Sequence, residues 1–128
     1  MEKAFVQLLG QEIPELKDNI YPTNAPEDAG SPYLVYYRYD GNITKTLNGY
    51  TRQQTISYMF SVMAQKYGDM IRLRDQVLSV LINLPKEHIG ENNSIYVQDL
   101  TINDINETWE SALKVHRGII DFTITIGG

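Results

Sequence analysis

The chain has 128 residues, 42% of them hydrophobic, with 16 acids against 11 bases and no cysteine. That length predicts one domain over residues 1–128. The cysteine count excludes disulfides, a thiolate zinc site and a cysteine nucleophile. A net charge of -5 with no run of lysines or arginines argues against a basic phosphate-binding face.

The opening, MEKAFVQLLGQEIPELKDN, does not read as a signal peptide. Charges follow Met1 at once and the apolar run breaks at Gln7. Phe5, Leu8 and Leu9 instead fall at helical spacing, predicting a short helix over residues 2–10 that stops at Gly10. Residues 11–32 hold Pro14, Pro22, Pro26 and Pro32 and predict mostly extended loop. IPEL could add one helical turn, with Pro14 at its first position.

A first strand is predicted over residues 33–39 (YLVYYRY), ended by a turn at Asp40-Gly41. Residues 42–52 read as a polar excursion with a second turn signal at Asn48-Gly49. In the next strand, QTISYMFSVMA, Ile56, Tyr58, Phe60, Val62 and Ala64 share one face, which is the expected core side. No charge occurs from residue 53 to 65, so this strand is either central or docked on a neighbour. A helix is predicted over residues 67–84, with Met70, Ile71, Val77, Leu78 and Leu81 in one apolar stripe and Pro85 as its stop.

EHIGENN reads as a loop, and residues 94–105 as a third strand whose apolar phase flips near Gln98-Asp99, predicting a bulge. The polar stretch 106–111 reads as a turn. The last strand is predicted over residues 113–126, with Ile120, Phe122, Ile124 and Ile126 on one face and Gly118 as a second bulge. The fold class expected is α+β: an antiparallel sheet of about four strands with helices packed on one face. No stretch approaches the ~18 apolar residues of a membrane span. The N-x-S/T sequons at Asn42, Asn92 and Asn106 read as chance matches.

The residues show little chemistry. His88 and His116 stand apart, with no serine or acid at a recognisable triad spacing. Asp99, Asp104, Glu107 and Glu110 crowd one hairpin, but DLTINDINETWE lacks the glycine and the alternating oxygen ligands of a calcium loop. Neither glycine-rich phosphate motif is present. The expectation is therefore no catalytic residue, no metal and no cofactor. The tyrosines of residues 33–39 allow two readings. Tyr33, Val35, Tyr37 and Tyr39 could make an aromatic platform for single-stranded nucleic acid, with Tyr37 and Tyr39 as stacking residues. One arginine, no glycine and a following acidic turn favour a strand or subunit contact instead.

One stretch, IYPTNAPEDAGSPYLVYYRY, resembles the opening of the tail-completion, or tail-terminator, family of long-tailed (siphovirus-type) phages. The matching elements are Ile20-Tyr21-Pro22, Ala25-Pro26 and Pro32-Tyr33-Leu34-Val35-Tyr36. TISYMFSVMA, KYGDM, IRLRDQVLSVL and RGIIDFTITI follow in a similar layout, so the resemblance covers about residues 5–126. It implies a structural, non-enzymatic virion protein. Such a protein would be assembled in the host cytoplasm and placed in the virion tail. There it forms a ring, usually a hexamer, at the head-proximal end of the tail tube. The ring would stop polymerisation of the major tail-tube protein, meet the head–tail connector protein, and let DNA through its bore, with no membrane partner. Ring symmetry requires one patch to meet a different patch on the next copy. The interface candidates are Arg38 on the first strand, Asn48, Tyr50 and Arg52 in the polar loop, and Ile124 and Ile126 on an apolar C-terminal strand that could supply an edge. Acidic charge lining the bore would repel passing phosphates.

Overall fold

A computed structural model describes residues 1–23, 25 and 30–127, excepting the side chains of Thr44 and Tyr50. Pro26 of the proline-rich segment and Gly128 lie outside the described residues. The elements run α1 (Glu2–Glu12), β1 (Ile20–Pro22), β2 (Tyr33–Thr46), β3 (Gly49–Ala64), α2 (Tyr67–Ile82), β4 (His88–Ile89), β5 (Ile95–Glu110) and β6 (Val115–Gly127). Single 3₁₀ turns occur at Pro14–Leu16 and Glu91–Asn93.

The strands form one six-stranded sheet in the order β1-β2-β3-β6-β5-β4. The expected four long strands are its antiparallel centre. The two additions are β1, which pairs parallel to β2 from Ile20↔Leu34 to Pro22↔Tyr36, and β4, which pairs His88 and Ile89 with Tyr96 and Ile95. Both are too short to carry a sequence period, and only long-range backbone hydrogen bonds define them.

Alternation on β3 sets the core. Ile56, Tyr58, Phe60, Val62 and Ala64 are all buried, as their period-2 spacing predicts. Ile120, Phe122 and Ile124 of β6 face the same way and are also buried, while Ile126 is half-buried at the end of the strand. Both helices cover this face and share one apolar cluster with it. Phe5 of α1 inserts among three rings, edge-on to Tyr58 and Phe60 at 5.2 Å and to Phe122 at 5.8 Å. Such contacts add about 0.5–1.5 kcal/mol each beyond area burial. Helix α2 lays Met70, Leu73, Val77 and Leu81 on the sheet, whereas Ile71 and Leu78 sit half-buried at the flanks.

Several boundaries differ from the sequence reading. Gly10 does not stop α1, which continues to Glu12. Asp40-Gly41 is no turn: β2 runs through it with an irregularity between Arg38 and Asp40, and Gly41 stays paired with Ile56. The polar excursion is therefore the far half of a long hairpin. That hairpin closes at Leu47-Asn48, where the Asn48 amide donates to Thr46 Oγ1 at 3.2 Å and Gly49 adopts a φ of +110°. Only glycine enters that region readily.

Residues 106–110 are likewise strand, paired to β6 from Asn106↔Ile119 to Glu110↔Val115. The turn falls after Glu110, with Lys114 at a φ of +54°. The expected register shift at Gln98 is present, between Val97 and Asp99, and a second lies between Ile102 and Asp104. Gly118 is not a bulge. It pairs regularly with Val62 and Glu107, and a Cβ there would stand 2.5 Å from Met70 Sδ. The glycine lets α2 approach β6.

Candidate functional site

The two histidines do not form a catalytic arrangement. His88 packs against the Tyr96 ring at 4.8 Å. His116 lies between Trp109 at 4.7 Å and Tyr67 at 5.3 Å. No group of three or more His, Asp or Glu placed to hold a metal ion occurs among the described residues. The crowded acids prove to lie along β5, an extended strand, so they do not curl round a common centre.

The sheet face away from the helices carries a small buried apolar cluster of Tyr33, Val35, Met63 and Val115 at one end and is polar beyond it. Adjacent strands place Tyr37, Met59, Asp121 and Asp104 in one row, with Asp40, Ser57, Thr123 and Thr101 in the next. Ser57 and Thr123 share a hydroxyl hydrogen bond at 2.9 Å, and Asn103 Nδ2 donates to Thr123 Oγ1 at 2.9 Å. The Tyr39 hydroxyl donates to Asp121 Oδ1 at 2.5 Å, and this bond raises the Tyr39 pKa above the ordinary phenol value. Arg117 on the same face donates to Ser61 Oγ at 3.0 Å and pairs with Glu110 at 3.3 Å.

This surface is a poor aromatic platform. Tyr33 and Val35 are buried against Met63 and Val115, Tyr39 is bound to a carboxylate, and only Tyr37 stands exposed without such a tie. Acids surround these side chains where a phosphate-binding sheet needs cations. The aromatic residues are explained mostly by packing and by the hydrogen-bond ladder.

The interface candidates separate into two groups. Arg38 is exposed on β2 and lies 3.9 Å from Glu2. Asn48 occupies the hairpin turn, and Arg52 is exposed on the β3 side of the same arm. The backbone of Tyr50 belongs to that arm too, but its side chain lies outside the described residues. Ile124 is instead fully buried beneath the helices, and Ile126 packs against the same core. β6 is a central strand flanked by β3 and β5, so it supplies no edge. Its apolar sequence reflects burial within the subunit.

The true borders are β2 and β5. β1 covers only the first part of β2, ending at Tyr36, and the Thr23 amide adds one bond to the Tyr36 carbonyl. β4 covers Ile95 and Tyr96 of β5, and the segment before it bonds Val97 through Lys86 and Glu87. Beyond those points no further strand flanks residues 37–46 or 98–110 among the described residues. Both borders carry exposed apolar groups. Leu47 at the hairpin tip is 107% exposed and Trp109 is 50% exposed. These borders carry charged side chains, so an uncharged run does not mark an edge in this chain. The uncharged strand, β3, is central.

No protein-family model matches the chain, and no curated protein does. Solved structures share its fold. A chain in the structure described as the virion of a native gene transfer agent particle superposes with a TM-score of 0.68 at 11% identity. That match covers 100% of this chain and 95% of the other. A second solved chain matches with a TM-score of 0.59 at 20% identity, over 99% of this chain and 90% of its own length. At these identities the likeness is one of fold: a mixed α+β domain with a six-stranded sheet.

Proposed function

We propose that this protein is a structural component of a phage-like virion. More specifically, it is a ring-forming subunit at the head-proximal end of a tail tube, where it ends tube polymerisation and meets the connector. The observation that carries the reading is the end-to-end fold match to a chain of a gene transfer agent virion. Two facts about the molecule support it. Among the described residues, long stretches of the β2 and β5 borders have no flanking strand, and the concavities flanking α1 are open grooves of ≈ 530 and ≈ 680 Å³. The acids on the open sheet face suit a bore through which DNA slides without binding.

The test is tube capping. Purified protein added to polymerising major tail-tube protein should shorten the tubes and leave a ring on one end in negative-stain electron micrographs. Tubes of unchanged length with bare ends would remove the terminator role. Salt-sensitive retention of single-stranded DNA that is lost in Tyr37→Ala would instead favour the nucleic-acid reading.

A further inference from the structure

We infer that the acidic outer edge of β5 in one copy pairs with the basic β2 edge and hairpin arm of the next copy. Opposite charge fixes this contact as head-to-tail. The inference rests on the ring reading above and specifies the surface that closes the ring.

The charges are segregated by border. Residues 98–110 of β5 hold Asp99, Asp104, Glu107 and Glu110 and no lysine or arginine. Residues 37–54, which form the β2 edge and the arm, hold Arg38, Lys45 and Arg52 against Asp40 alone. These borders lie on opposite sides of the sheet. A symmetric contact of β5 with β5 would set four acids against four, and an arm-to-arm contact would set cations against cations. Like charges directly opposed across a strand pair are destabilising, and unlike ones favourable. Only the β5-to-arm contact is complementary, and a contact between two different patches propagates round a ring or along a filament.

Strand direction agrees. β2 and β6 run the same way, because each pairs antiparallel with β3, and β5 runs opposite to β6. Copies related by rotation about an axis along the strands would therefore meet β5 to β2 in antiparallel pairing. Apolar groups stand ready on both borders: Ile105 and Trp109 on β5, Ile43 and Leu47 on the arm, all exposed. Asp99, Asp104 and Arg52 carry no ion pair among the described residues, so their charge is available to a neighbour.

The experiment uses the full chain and two edge variants in sedimentation velocity and mass photometry, with circular dichroism to confirm folding. Asp99→Lys/Asp104→Lys cancels the net acidic charge of the β5 border, leaving two lysines beside Glu107 and Glu110, while the other border stays basic. Arg38→Glu/Arg52→Glu makes both borders acidic, and Arg52→Glu alone serves if the double variant is unstable. Each variant alone should assemble at least tenfold more weakly than wild type, and an equimolar mixture should recover assembly. Wild-type assembly should also weaken between about 0.15 and 1 M salt, as the screening length falls from ~8 to ~3 Å. A folded variant that assembles like wild type, or a mixture that fails to recover, would overturn the edge pairing while leaving a ring built by other surfaces. A wild-type chain that stays monomeric throughout would end both.

Discussion

Tyr58 of β3 is fully buried. Its ring lies in the centre of the core, stacked on Phe122 at 5.7 Å and touched edge-on by Phe5. Its hydroxyl is buried beside the Glu2 carboxylate, with no well-aligned hydrogen bond among the described residues. Burial, with the nearby Glu2 carboxylate adding to it, raises the Tyr58 pKa well above the ordinary phenol value. Tyr58→Phe keeps the packing and removes a buried hydroxyl whose contact with Glu2 is poorly aligned. We therefore expect a stability change within about 1 kcal/mol of zero, or a small gain, in urea denaturation. The pH dependence follows the same residue. With the folded pKa above the unfolded one, stability is complete below about pH 10 and is lost as pH rises beyond that value. Tyr33 and Tyr36, also raised by burial, act in the same direction. Tyr58→Phe should flatten this alkaline loss, and an unchanged alkaline profile would show that the hydroxyl is not the titrating group.

At the scale of elements, the close contact of α2 with β6 depends on Gly118. A Cβ there would stand 2.5 Å from Met70 Sδ and 3.0 Å from Arg74 Cδ, and Met70 is fully buried. Gly118→Ala should cost about 1–3 kcal/mol, the range for overpacking, seen as a lower urea midpoint with an unchanged slope. No loss would mean that α2 can ride up without cost. The sequence suggested a bulge at this glycine because a gap in an apolar strand has two explanations, and only the position of the helix chooses between them. Legibility elsewhere followed burial. β3 and α2 were readable because one face of each is sunk in the core, which forces a period of two or of about 3.6. The end of β5 was misread as a turn because Asn106, Glu107, Thr108 and Trp109 are exposed and leave no apolar rhythm. Of the interface candidates, Arg38 on β2 and Asn48 and Arg52 on the hairpin arm are exposed, which leaves their assembly role a proposal, whereas Ile124 lies on a central strand, because apolar sequence marks a buried strand and an unpaired one alike.

For the whole molecule, the sheet is finished on one face and unfinished at its sides. Two helices seal the core, while among the described residues the outer edges of β2 and β5 keep backbone groups that water or another chain must satisfy. Short strands cover one end of each border, and among the described residues no strand covers the remainder. In the proposed ring, each copy would complete its neighbour's sheet. The measurement that bears most directly on this account is the native mass of the purified chain across a concentration series. The account predicts a single closed species, a fixed multiple of the 14.7 kDa chain, in equilibrium with monomer. A chain that remained monomeric at the highest concentrations, alone and with tail-tube protein present, would contradict it.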